Sequence, residues 1–165
     1  MRDKILSKEG ARRLRKLAAE QGRTVVFTNG CFDVLHAGHV DYLEAARTEG
    51  DLLIVGMNSD SSTFRIKGPD RPVVCEDDRA AVLSGLAAVD AVVVFEEDDP
   101  LALIKELQPD VLVKGSDWPE DRIIGAAEVK SRGGRVARIE MTPGRSSSGI
   151  IERIRQSSGR EGERE

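Results

Sequence analysis

This chain of 165 residues predicts an α/β fold: a Rossmann-like, doubly wound parallel sheet of about five strands with helices on both faces. Three observations carry the prediction. Short apolar runs rich in β-branched residues alternate with stretches of helical periodicity along nearly the whole chain. The runs, such as L-L-I-V-G-M and A-V-V-V-F, are apolar throughout rather than alternating, as strands covered on both faces are. The polar clusters at Thr28–His39, Asn58–Asp60 and Lys114–Asp117 directly follow or close such runs, where parallel sheets hold their ligands.

In order, Ser7 can cap a first helix with Leu14, Leu17 and Ala18 as its apolar stripe, ended by Gly22. Thr24 to Phe27 is the first strand. Thr28 to His39 then turns into a second helix, whose Val40, Leu43, Ala46 and Arg47 run towards Gly50. Asp51 to Asn58 is a second strand. Ser59 to Cys75 is polar and broken by Gly68, Pro69 and Pro72, so it reads as one long loop, a length that in compact domains signals function or disorder. Glu76 to Val89 repeats Ala80, Leu83, Leu86 and Ala87 at helical intervals, and Ala91 to Phe95 is a third strand. Pro100 opens a short helix that ends near Gln108, followed by a fourth strand from Val111 to Lys114. Asp121 to Arg132 is expected as helix, Arg135 to Glu140 as a fifth strand, and Ser147 to Gln156 as a last helix. Residues 1–156 thus form a single domain without internal repeats, and Ser157 to Glu165, which lacks apolar residues, is expected as a frayed tail.

Composition removes several classes of function. Hydrophobic residues make up 39% and charged residues 33%, and a net charge of -4 gives no reason to expect nucleic acid as the main ligand. Aromatic residues at 4% cannot build a broad base-stacking platform. No apolar run approaches the ~20 residues of a membrane span, and the first ten residues lack the core of a signal peptide. Cys31 and Cys75 follow no disulfide or metal pattern, which fits a reducing cytoplasm.

The turn T-N-G-C-F-D-V-L-H-A-G-H holds both histidines of the chain, His36 and His39. Three residues apart at the mouth of a helix, they share one side, beside free N–H groups and the positive end of the dipole. That is a place for a phosphate, and Gly38 between them lets an anion approach the backbone. Zinc would require a third ligand at recognisable spacing, and none follows, so no metal is expected through a side-chain motif. Cys31 has no evident base and reads as a packed residue. Lys67, Arg71 and Arg79 either bind phosphates or form a solvated basic loop. Lys114-Gly115-Ser116-Asp117 is either a strand end opened to a ligand or a tight turn, and Trp118 either covers that ligand or packs on Pro119. Ser146, Ser147 and Ser148 precede the last helix, where one of them caps it or several hold a triphosphate tail.

Together these stretches resemble a known family. The histidine turn is similar to the signature of the H-x-G-H nucleotidyltransferases of the cytidylyltransferase-like superfamily. V-G-M-N-S-D, I-K-G-P-D-R-P-V, L-A-A-V-D-A-V-V-V-F-E-E-D, P-D-V-L-V-K-G-S-D and S-S-S-G-I-I-E-R-I, in this order, resemble the heptose 1-phosphate adenylyltransferases. Those enzymes serve ADP-heptose synthesis, often as the second domain of a bifunctional sugar kinase/adenylyltransferase. The resemblance runs from about Val25 to Ile154, with two departures: the family's Lys-Gly-Gly-Asp is Lys114-Gly115-Ser116-Asp117 here, and its Ser-Thr-Thr is Ser146-Ser147-Ser148.

The resemblance implies that ATP binds with its α-phosphate over His36 and His39 and its tail towards Ser147 and Ser148, and that a sugar 1-phosphate attacks. It implies Mg²⁺ bound mainly through the phosphates, with Lys67 and Arg145 adding positive charge. Thr28, Asn29, Gly30, Phe32 and Gly38 would line the nucleotide turn, and Lys114, Gly115 and Asp117 would face base and ribose. Asp33, Asp60, Arg71 and Arg79 would hold the acceptor or the loop around it. A cytoplasmic homodimer supplied by a separate heptose kinase is the corresponding expectation. A related transferase using CTP, GTP or another acceptor, a non-catalytic nucleotide-binding module and a metallohydrolase stay open.

Overall fold

The computed structural model describes residues 2–159. These form five strands, β1 (Val25–Gly30), β2 (Leu52–Asn58), β3 (Ala91–Phe95), β4 (Val111–Gly115) and β5 (Arg135–Ile139), in one parallel sheet of order β3-β2-β1-β4-β5. Between them run α1 (Lys8–Glu20, ahead of β1), α2 (Ala37–Arg47), α3 (Asp60–Lys67) and α4 (Glu76–Gly85), then α5 (Leu101–Leu107), α6 (Ala126–Ser131) and the C-terminal α7 (Ser147–Gly159). The Rossmann-like expectation is met.

Alternation of side chains divides the core between the two faces. Val25, Phe27, Ile54 and Leu112 pack with α1, α5 and α6 through Ala11, Leu103, Leu107 and Val129. Val26, Leu53, Val55 and Val113 point the other way, into Tyr42, Leu43 and Ala46 of α2 and Ala80 and Leu83 of α4. Ser7 caps α1 by accepting from Gly10 N–H at 3.1 Å, and Gly22 follows its end at φ 66°.

Several boundaries differ from expectation, each for a physical reason. The stretch expected as a loop from Ser59 to Cys75 begins as helix α3, capped by Ser59, whose hydroxyl accepts from Ser62 N–H at 3.1 Å. Its buried residues are Ser62 and Thr63, whereas Phe64 and Ile66 are exposed, so it carries no apolar stripe. The helix expected from Asp121 is broken by Gly125 at φ 88°, leaving a 3₁₀ turn at Glu120–Arg122 and the shorter α6. Helix α7 runs to Gly159, past the expected tail boundary at Gln156. The remainder of the expected tail, 160–165, lies outside the described residues.

β1 and β4 are neighbours whose onward connections diverge, β1 leading through α2 to β2 and β4 through α6 to β5. This is the switch point of the sheet, and a crevice opens beyond the carboxyl ends of the two strands. Lys114 on β4 donates to Asn29 Oδ1 on β1 across it at 2.5 Å.

Candidate functional site

The crevice holds a cleft of about 370 Å³, lined from β1 and its turn, the start of α2, the end of α3, the end of β4 and the start of α7. His36 is the N-cap residue of α2 and His39 occupies its third position. The rings stack with centroids 3.9 Å apart, and Phe32, held at φ 47°, packs its ring 5.6 Å from His39. His39 Nδ1 accepts from the His36 backbone N–H at 3.3 Å, which leaves its proton on Nε2. His36 Nδ1 is buried without a hydrogen-bond partner of proper geometry. Burial, and then the neighbouring His36, pushes His39 down to about 4. Burial and then the Arg145 guanidinium lower His36 too. At neutral pH the pair is therefore uncharged, a pair of hydrogen-bond donors rather than cations.

Gly38 sits in a close approach: a Cβ there would lie 3.1 Å from His36 Nδ1 and 3.2 Å from Arg145 Cβ, so both neighbours would have to give way. Arg145, just before α7, therefore lies across the α2 N-terminus, and it carries no ion pair among the described residues. The serines after it divide their work. Ser146 is the plain cap of α7, its hydroxyl accepting from Gly149 N–H at 3.0 Å. Ser147 donates its proton to Val34 O at 2.7 Å, tying α7 to the histidine turn. Ser148 is exposed at the cleft, with its hydroxyl available as a donor.

Lys114 is pushed down to about 8 by burial, against the opposing charges of Asp117 and Cys31. A Cβ on Gly115 would meet the Asp117 carboxylate, which would have to swing aside. Lys67, at the exposed end of α3, reaches the cleft with no hydrogen bond or ion pair among the described residues.

Other expected site residues are committed to the protein itself. Burial raises the Asp33 carboxyl, but Val74 N–H, Val73 N–H and the Arg71 guanidinium outweigh it and hold the group below the usual carboxylate range. Asp33 thus anchors the loop after α3 through Arg71, Val73 at 2.8 Å and Val74 at 2.9 Å. Arg71 and Asp33 still line the cleft. Arg79, Asp60, Thr28 and Gly38 do not line it. Arg79 is fully buried behind it, donating to Val74 O, Cys31 O, Asn58 O and Asp60 Oδ1. Thr28 lies under the floor, giving its proton to Val113 O, so that the Tyr42 hydroxyl donates to Thr28 Oγ1 at 2.8 Å. Burial raises the Tyr42 phenol to about 12, so it keeps that proton. Tyr42 and Met141 are cleft residues that the sequence reading passed over. Tyr42 lies one helical turn beyond His39, and that spacing was the available signal.

A larger hollow, about 420 Å³, lies at the amino ends of the strands beside Arg15, Arg132 and Arg135. Its guanidinium groups are paired with Asp110, Glu128 and Glu49, so it offers no comparable set of free donors.

Fold and site together define a Rossmann-like α/β domain whose switch-point cleft gathers histidines, cations and hydroxyls at the N-termini of two helices. The chain belongs to the cytidylyltransferase-like family, whose model matches residues 27–153. It is 59% identical over 134 residues, 81% of its length, to the bifunctional protein HldE of Methylobacillus flagellatus. It is 53% identical over 157 residues, 95% of its length, to that of Mesorhizobium japonicum. The chain spans 28% and 32% of the length of these two relatives. The crystal structure of the lipopolysaccharide core biosynthesis protein from Thermoplasma volcanium matches it with a TM-score of 0.61 at 31% identity, over 73% of this chain and 98% of that one. Among the described residues no helix is long and apolar enough to cross a membrane.

Proposed function

We propose that this chain transfers the AMP moiety of ATP to D-glycero-D-manno-heptose 1-phosphate, releasing pyrophosphate and giving ADP-heptose for a surface glycan. The observation that carries the reading is the stacked, neutral histidine pair at the start of α2, which lines one cleft with Arg145 and the serines of α7. The sequence blocks shared with heptose 1-phosphate adenylyltransferases, and the similarity to the HldE proteins, support the choice of substrates.

In the proposed reaction an oxygen of the acceptor phosphate attacks the α-phosphorus in line. A P–O bond forms there as the bond to the bridging oxygen breaks, and the electron pair leaves with pyrophosphate. The attacking group is already anionic, so no base is required. The protein contributes position and preorganised donors. His39 offers Nε2–H to an α-phosphoryl oxygen, and its bond from the His36 backbone keeps it from switching tautomer. Arg145 and Ser148 serve the leaving pyrophosphate, and Lys67 and Lys114 serve the phosphates at the centre of the cleft.

Among the described residues no group of three or more His, Cys, Asp or Glu could hold a metal ion. Mg²⁺, which the resemblance implies, would be held mainly by the nucleotide's phosphates and would neutralise charge there. The same reading puts the reaction in the cytoplasm, with a heptose kinase activity supplying the sugar 1-phosphate and the enzyme working as a homodimer.

Purified protein screened with all four nucleoside triphosphates against several sugar 1-phosphates, with pyrophosphate as readout, tests the reading. ATP is expected to exceed CTP by at least ~10-fold in kcat/KM, since a hydrogen-bonded base pocket leaves its own groups unpaired against the wrong base. The family model's cytidylyltransferase-like description makes CTP the competitor to beat, and comparable turnover with CTP would overturn the base assignment. Tight ATP binding without pyrophosphate release would instead identify a non-catalytic module.

A pH profile tests Lys114. Its ammonium group is present below about 8 and is lost as pH rises through that value. Because kcat/KM reports groups of the free enzyme, it should fall above pH about 8, and Lys114→Arg should remove that limb. An unchanged alkaline limb in Lys114→Arg would exclude Lys114 as its source.

A further inference from the structure

The cleft has a second lobe. A hollow of about 310 Å³ shares Asn29, Gly30, Cys31, Lys67, Lys114 and Trp118 with the phosphate-binding lobe and extends away from the histidines, between α3, the β3–α5 connection and the segment after β4. Its chemistry is different. No histidine or serine lines it; its own walls bring Asn58, Asp98, Asp99 and Arg122 together with isoleucines.

Asn58 is the most informative of these. Only 3% exposed, it sits at the end of β2, and its amide nitrogen lies 3.0 Å from Ser62 Oγ. Ser62 gives its own proton to Glu97 O at 2.8 Å, so towards Asn58 it can only accept, which fixes the amide with its nitrogen to Ser62. Asn58 Oδ1 is left without a protein donor among the described residues, on a nearly buried side chain that lines the lobe. The atom opens into the lobe, where an O–H or N–H of a ligand can take the place of water.

The two carboxylates are held in a similar way. Asp98 Oδ1 receives Arg65 Nε at 2.6 Å and Asp99 Oδ1 receives Leu101 N–H at 2.8 Å, and the second oxygen of each has no such donor. Carboxylates repel phosphate and accept from hydroxyls. Ile66, Ile124 and Trp118, exposed by 42%, 46% and 54%, line the same lobe, so three of the chain's exposed large apolar side chains gather at one hollow.

We propose that this second lobe holds the polyhydroxylated ring of the sugar 1-phosphate. Its hydroxyls donate to Asn58 Oδ1, Asp98 and Asp99, its C–H face packs on Ile66, Ile124 and Trp118, and its phosphate reaches back to Lys67 and Lys114, which line both lobes. The assignment rests on the transferase reading and adds to it which side chains select the acceptor.

Isothermal titration with α,β-methylene-ATP, which cannot release pyrophosphate, separates the two lobes. Protein loaded with the analogue and Mg²⁺ is titrated with D-glycero-D-manno-heptose 1-phosphate, and the analogue is titrated alone. In the D98N/D99N variant the Kd for the sugar phosphate should rise at least ~10-fold, the scale of losing hydrogen bonds to charged acceptors. The Kd for the analogue should move less than about twofold, since no carboxylate of this lobe reaches the phosphate cradle. Ile124→Ser, a surface change that removes only apolar contact, should weaken the sugar phosphate in the same selective way. An unchanged sugar-phosphate Kd in both variants, or equal weakening of the analogue, would overturn the assignment. A wild-type protein that binds the analogue but no sugar 1-phosphate would overturn the transferase reading itself.

Discussion

Replacing His39 with alanine is expected to lower kcat by ~10²-fold or more while the Kd for ATP shifts far less, because a preorganised donor acts mainly on the transition state. The expectation follows from the geometry of the pair. Burial drives His39 to about 4, so it is neutral across the physiological range and cannot act as a fixed cation that binds ground and transition states alike. Its Nδ1 is occupied by the His36 backbone N–H, so its remaining proton has one direction to point. His36→Ala should show a loss of the same kind, since it removes the ring stacked 3.9 Å from His39. Single-turnover pyrophosphate release, set beside equilibrium ATP binding, separates the two effects. A variant with undiminished kcat would remove the histidine from the chemistry.

Arg79→Ala is expected to destabilise the fold by about 3–5 kcal/mol, the scale of removing one partner from a buried charged network. The Arg79 side chain is fully buried and joins four points: Cys31 O after β1, Asn58 O at the end of β2, Val74 O in the loop before α4, and the Asp60 carboxylate on α3. Truncation leaves three carbonyls and a carboxylate without their donor. Arg79→Lys should recover only part of the loss, because a single ammonium group cannot reproduce the planar fork. Urea unfolding, read as a shift in the transition midpoint, measures both variants. A loss below ~1 kcal/mol in Arg79→Ala would show that the network is not a brace. Because the same bonds position the turn after β1 and the end of β2, the stability loss should come with a weaker site.

The apolar runs marked the strands correctly because strands covered on both faces need no alternation: Val25, Val26 and Phe27 are all fully buried. Their polar ends were harder to read. Thr28, Asn29 and Gly30 continue β1, paired with Val55, Gly56 and Met57, although Asn29 and Gly30 are of types depleted in strands. Helix α3 was hidden for the opposite reason, since the residues it buries are hydroxyls and those it exposes include Phe64 and Ile66. Periodicity reports on burial of apolar groups, and both segments depart from that rule beside the cleft.

The parallel α/β architecture and the placing of both histidines at one helix mouth could be read from the residues alone. These are local matters, set by runs of a few residues and by spacing along one helix. Which charged and polar groups remain free for a ligand depends instead on long-range contacts. Arg71, Arg79, Lys67 and Arg145 are indistinguishable as cations in the sequence, yet Arg71 holds Asp33 and Arg79 ties together backbone up to 48 residues away, while Lys67 and Arg145 carry no ion pair among the described residues. Ser146, Ser147 and Ser148 divide in the same way into a cap, a tie to Val34 and an available donor. Buried polar groups must be satisfied, and their partners come from wherever the fold brings them, so the residues left over for substrate emerge only once every long-range bond is in place.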